Sequence, residues 1–153
     1  AGMSGLTEEE ILRYVVRCAE DPSLLPGNER ETRADLALAA AAVATALARH
    51  AGTLERVYTP MGPMYEQRGK DLTQVKQVLV TGGALVFSAL LETIMGLALS
   101  RQDTMTLTPR EARLMVDRHY ILSAMGLLAD REPEAALHLM KDIFGREEAY
   151  AAV

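Results

Sequence analysis

Val75-Lys76-Gln77-Val78-Leu79-Val80-Thr81-Gly82-Gly83-Ala84-Leu85 is the stretch on which the reading of this chain turns. A β-branched run stops at two glycines and restarts as an apolar helical pattern that continues to Leu99, which spells strand, tight turn and helix. Glycine has no Cβ, so it reaches φ > 0 and lets a backbone or a ligand come close. Such a turn also aims backbone N–H groups and the positive end of a helix dipole outward, which suits an anion or phosphate. From the pair alone two readings stay open: a ligand-facing turn, or a tight strand-to-helix corner and nothing more.

Upstream of this stretch the sequence is mostly helical. Thr7-Glu8-Glu9-Glu10 is a capping box, followed by a stripe of Ile11, Leu12, Val15 and Val16 that ends at Asp21-Pro22. Asn28 caps a second helix, Ala-rich from Ala34 to Ala48, expected to be central and buried and to close with Gly52 at C′. Leu54–Thr59 and Met64–Gln67 read as a hairpin about Pro60-Met61-Gly62-Pro63, and the polar Arg68–Thr73 leads into the strand. Downstream, Thr108-Pro109-Arg110-Glu111 carries a helix-start signature, and Ala112–Asp117 is left open between helix and strand. The apolar run Tyr120–Ala129 follows. Pro133 then opens a last helix through Phe144, with Leu137, Met140, Ile143 and Phe144 inward and Gly145 beyond its end. Three blocks result: the Ala-rich helix at 28–52, hairpin plus strand at 54–83, and helices over 84–145. The fold class is α/β, helix-rich, with a small mixed sheet and a hairpin.

Composition narrows the function classes. At 153 residues this is one domain or one piece of a larger protein, and 49% apolar residues suffice for a core. A net charge of −5 without a basic block argues against a nucleic-acid surface. The apolar run Ala84–Leu99 falls short of the roughly 20 residues a membrane span needs and contains Glu92, so no membrane association is expected. The single Cys18 forms no disulfide within the chain and fits a cytoplasmic setting. No signal-peptide pattern opens the sequence, and Ala1-Gly2 ahead of Met3 reads as an added remnant before an excised fragment.

The usual chemical motifs are missing. Gly62 and Gly69 are separated by six residues, with Asp71 after Lys70, which is not a P-loop, and no GxGxxG follows Val80. His50, His119 and His138 sit in separate segments without ligand spacing, so no metal site is expected. Neither Ser88 nor Ser123 lies in a nucleophile elbow. Glu147-Glu148 reads as a solvated tail and the methionines as core filler. Only the Gly82-Gly83 turn and the polar segment with Tyr65, Lys70 and Asp71 stand out, and no residue presents itself as catalytic.

Several motifs then occur in a fixed order: Arg49-His50-Ala51-Gly52, Val57-Tyr58-Thr59-Pro60-Met61-Gly62, Gly69-Lys70-Asp71-Leu72-Thr73-Gln74-Val75-Lys76, Thr81-Gly82-Gly83, and Asp117-Arg118-His119-Tyr120 running on to Leu128. From about Leu36 to Phe144 the chain resembles the C-terminal part of the glutamate (methylaspartate) mutase accessory family of the MutL type, which only shares its name with mismatch repair. That family resembles the actin and heat-shock-chaperone ATPases, two related α/β halves with nucleotide between them. The resemblance implies that Thr81, Gly82, Gly83 and Ala84 face the adenosine of a nucleotide, with Lys70, Asp71 and Gly126 as secondary contacts. It implies ATP or ADP with Mg²⁺ for the full-length protein, a chaperone or reactivating role, and glutamate mutase subunits as partners. The oligomeric state is left open. The superfamily's Asp- and Gly-rich phosphate motifs are absent from this chain, so the fragment alone is expected to bind no cofactor and to hydrolyse no ATP. The alternative reading is a non-enzymatic scaffold that keeps the fold without nucleotide.

Overall fold

The computed structural model describes residues 5–100, 103–146 and 150–152. Its centre is a parallel strand pair, β3 (Gln77–Val80) and β4 (Arg113–Val116), with β5 (Tyr150–Ala152) antiparallel on the other edge of β4. Parallel neighbours need a crossover, and here it runs through the single turn α3 (Gly83–Val86) and the longer α4 (Leu91–Ser100). Leu91, Ile94, Met95 and Ala98 recur at helical spacing and are all buried. Leu91 and Met95 join Val80, Val86, Leu114 and Val116 in one cluster, against which Val43, Val78 and Leu85 pack. Burying these aliphatic groups against one another is the main favourable term holding strands and crossover together.

Two helices precede the sheet, α1 (Glu8–Glu20) and α2 (Glu29–His50). The Thr7 capping box forms as its sequence requires: Thr7 Oγ1 accepts from Glu10 N–H at 3.2 Å while Thr7 N–H donates to Glu10 Oε2 at 2.8 Å. Asn28 caps α2 by accepting from Glu31 N–H at 3.0 Å. Arg17 pairs with Glu31 at 2.6 Å, Arg30 pairs with Glu10, and the buried Tyr14 hydroxyl donates to Asp35 Oδ1 at 3.4 Å. Expected placements change here. Leu12, Val15 and Val16 are exposed and Tyr14 is the buried residue of α1. In α2 only Ala34 and Ala40 are buried, so it lies over α4 as an outer helix instead of filling the centre.

The hairpin pairs β1 (Thr53–Thr59) with β2 (Gly62–Arg68), in register from Thr53↔Arg68 to Thr59↔Gly62, as a separate two-stranded sheet. Gly52 does not end α2 in a left-handed cap; Ala51 caps it in extended conformation. Gly52 is instead where backbones cross. A Cβ there would stand 2.7 Å from Gly69 C and 2.8 Å from Lys70 N.

The long helix read from Ala84 to Leu99 is broken at Phe87–Leu90. Ser88 Oγ accepts from Leu90 N–H at 3.1 Å, a local bond that offers the backbone an alternative to helix. Thr108–Glu111 starts no helix. Leu107 N–H donates to Gly52 O at 2.8 Å and Leu107 O accepts from Leu72 N–H at 2.9 Å, so the segment is held extended as it enters β4. Parallel pairing with β3, from Gln77↔Arg113 to Val80↔Val116, resolves 112–117 in favour of a strand at 113–116. The apolar run becomes α5 (Leu122–Ala129), and α6 (Pro133–Arg146) packs on it. Helix α6 continues through Gly145, and Leu137 is exposed where an inward position was expected; Phe144 is buried. Glu147-Glu148 lies outside the described residues.

Candidate functional site

Because β3 and β4 run parallel, both end on the same side of the sheet, the side where open α/β sheets place their ligand crevices. Thr81, Gly82, Gly83 and Ala84 leave the end of β3 there and all four are exposed. Gly82 has φ +95°, a conformation that side chains seldom adopt, so glycine is required at that position. Gly82 O accepts from both Leu85 and Val86 N–H, at 3.0 and 2.9 Å, which folds the chain into one helical turn. A single turn sums few peptide dipoles, so the anion-binding reading of this corner loses its physical basis.

From β4 the chain runs directly into Asp117, 1% exposed. Its N–H donates to Val80 O at 2.9 Å, fixing the end of β4 beside the end of β3. Its carboxylate accepts from Ile121 N–H at 2.9 Å and Leu122 N–H at 3.1 Å, which ties down the start of α5. Thr81 Oγ1 donates to the same carboxylate at 3.4 Å. A buried carboxylate engaged this fully is a fastener between the glycine turn and α5, not a free base. Sequence reasoning missed it because 112–117 was unassigned; an acid between a strand and an apolar helical run was the available signal.

Tyr120 lies across from the turn. Its φ is +54°, the sole positive value at a non-glycine among the described residues. Its ring stacks on Phe87 with centroids 5.8 Å apart and planes 16° from parallel. A Cβ added to Gly83 would meet the Tyr120 hydroxyl at 3.1 Å, so the second glycine makes room for that group.

The secondary residues fall elsewhere. Lys70 O accepts from Gly52 N–H at 2.6 Å, and Asp71 Oδ1 accepts from the N–H and hydroxyl of Thr73 at 2.9 and 2.6 Å. These bonds, with Arg110 nearby, hold the Asp71 carboxyl below its ordinary value. Both residues precede β3, on the side where the strand enters the sheet. Strand β3 itself spans roughly 13 Å before the glycine turn begins. Gly126 lies within α5, where an added Cβ would meet nothing within 4 Å. The structure thus gathers Thr81–Ala84 with Asp117, Phe87 and Tyr120, while Lys70 and Asp71 make their bonds to Gly52 and Thr73 ahead of β3. Bare glycine backbone beside stacked aromatic rings suits a flat, weakly charged group. Among the described residues no group of three His, Cys, Asp or Glu is placed to hold a metal ion, and no helix is long and apolar enough to cross a membrane.

These features define a small α/β unit with a parallel crossover and a glycine corner at the carboxyl ends of its strands. The family model described as MutL protein matches residues 2–144. The chain therefore belongs to the MutL protein family, as its ordered motifs indicate. Over 124 residues it is 43% identical to "Protein MutL" of Clostridium tetanomorphum, a match covering 80% of this chain and 27% of that protein. The chain thus spans little more than a quarter of that curated relative. No solved structure matches.

Proposed function

We propose that this chain is the nucleoside-facing part of an actin-like ATPase that serves as accessory or reactivating protein to a coenzyme-B12-dependent glutamate mutase. The observation that supports it is the exposed Gly82-Gly83 corner at the carboxyl ends of the parallel strands. In this reading Thr81–Ala84 carry the adenosine of ATP or ADP. Asp117 keeps the corner and α5 in fixed relation, so that the exposed backbone is presented the same way each time. The phosphates and Mg²⁺ fall to parts of the full-length protein beyond this chain, since the described residues offer neither an acid cluster nor a phosphate loop. Mutase subunits are the partners and the cytoplasm the setting.

Calorimetry on the full-length protein tests the nucleotide assignment. ADP or ATP binds the natural sequence, and Gly83→Val lowers affinity at least ten-fold, because its Cβ enters the space of the Tyr120 hydroxyl and its branches project over the corner. Absence of nucleotide binding by the intact natural protein refutes it.

A second reading is a scaffold that docks mutase subunits without nucleotide. It is favoured by the hairpin, where Tyr58, Met61 and Tyr65 are strongly exposed and Arg56 lies over the Tyr58 ring at 5.3 Å. Tyrosine and arginine are enriched at binding hot spots. Pull-down of mutase subunits separates the two: the scaffold retains them equally with and without nucleotide, whereas the ATPase reading requires nucleotide to change the amount retained.

A further inference from the structure

One feature of the corner is left unused by its glycines. Phe87 is 77% exposed and Tyr120 is 43% exposed, yet the two rings are stacked in parallel, clear of the buried cluster. Water does not reward the display of a phenylalanine face. Offset stacking favours adding another flat ring to an existing pair. Both rings are fixed to the glycine corner: Phe87 N–H donates to Gly83 O at 3.1 Å, and the Tyr120 hydroxyl stands over Gly83. Tyr120 reaches that position through its left-handed backbone, supported by its N–H donating to Asp117 O at 3.2 Å. Beside Phe87 a pocket of about 520 Å³ opens, with Ser88, Leu90, Glu92 and Arg118 among its walls. That volume is within the range usual for small-ligand sites, roughly 300–1,000 Å³.

The geometry points to the Phe87–Tyr120 pair as the stacking platform for a planar heteroaromatic ring, the base of the nucleotide bound at the corner. This rests on the nucleotide reading above and adds the residues that grip the base. The base lies on the open face of Phe87 and extends the stack. Gly82 and Gly83 admit the sugar side, and the pocket walls bound the edge of the ring. Stacking is indifferent to phosphate charge, so the platform recognises the nucleoside half of the ligand and leaves the phosphate half untouched.

Titration calorimetry on the full-length protein, with ADP and inorganic pyrophosphate as separate probes, tests it. Removing one aromatic platform typically costs about 1–3 kcal/mol per base, or roughly 5- to 150-fold. Phe87→Ala should therefore weaken ADP at least five-fold with pyrophosphate affinity unchanged, and Phe87→Tyr should restore ADP affinity to within about two-fold. Because the ring lies outside the core, melting of Phe87→Ala should stay close to that of the natural protein. Unchanged ADP affinity in Phe87→Ala overturns the platform and leaves the nucleotide reading standing. Equal weakening of ADP and pyrophosphate overturns it as well, since that pattern reports a distorted corner. Failure of the natural protein to bind ADP at all removes the nucleotide reading and the platform together.

Discussion

Gly52 and Gly126 are both glycines near helices, yet their substitution should have opposite effects. At Gly52 a methyl group would press on the backbone of Gly69 and Lys70, atoms that cannot swing away as a side-chain tip can. Gly52→Ala should destabilise by about 1–3 kcal/mol, the usual cost of forcing atoms into packed space. Gly126 lies inside α5 with open space where its Cβ would be. Gly126→Ala should stabilise by about 0.5–1 kcal/mol through the reduced entropy cost of ordering the helix. Denaturant titration of the two variants beside the natural chain checks both signs. The sequence distinguished neither case: Gly52 reads as a helix stop and Gly126 as a family contact, because the backbone that crowds Gly52 arrives from residues 68–70. Gly82 was more legible. A strand-to-helix corner constrains φ locally, and the two neighbouring glycines announce it.

At the scale of elements, legibility follows the range of the determining contact. The caps of α1 and α2 involve residues three apart and could be read directly. The hairpin was legible from the turn residues Pro60-Met61-Gly62-Pro63, although Thr59 pairs with Gly62 and the link shortens to Pro60-Met61. Thr108–Glu111 misled because its Thr-Pro start is a local signal, while the bonds that override it come from Gly52 and Leu72. The exposed stripe of α1 misled for the converse reason: helical spacing says that one face is apolar and not that anything covers it. The α1–α2 pair also carries a pH dependence. Glu10 is held below its ordinary 4.5 by the Thr7 backbone N–H, and Glu31 below 4.5 by the Gly27 backbone N–H and by Arg17. A depressed native value means that folding favours the ionised form. The contribution is therefore complete above about pH 4.5 and lost as pH falls through the lower native values. Thermal melting followed by circular dichroism should show the transition temperature dropping below that pH, and Glu31→Gln should flatten the drop. Both carboxylates are partly exposed and lie at the surface, so the effect is modest and salt-sensitive.

For the whole molecule, the class of fold and the family were legible, since the strand–turn–helix stretch mixes strand with helix and the ordered motifs run through most of the chain. The division into two sheets was not, because it depends on which strand edges meet, and nothing local to the strands encodes that. Of the residues at the corner, Thr81–Ala84 are consecutive and Phe87 follows within the same turn, whereas Asp117 and Tyr120 reach them only through folding. Phosphoryl transfer depends on charge and positioning at the phosphates, which the described residues do not assemble. The purified 153-residue chain should accordingly show no ATP turnover above a buffer control in a phosphate-release assay, and turnover by the chain alone would contradict the division of labour proposed for the full-length protein.

The crossing at Gly52 also bears on the order in which the chain folds. Gly52 N–H meets Lys70 O, Gly52 O receives Leu107 N–H, Leu107 O receives Leu72 N–H, and Leu54 N–H reaches Met105 O. Three segments distant in sequence are sewn together by main-chain bonds around the buried Leu107. Closing such long loops costs entropy that is recovered only when the last partner arrives. The caps and the hairpin, whose contacts are local, should therefore form ahead of the seam at Gly52, and the hairpin should attach late to the βαβ body.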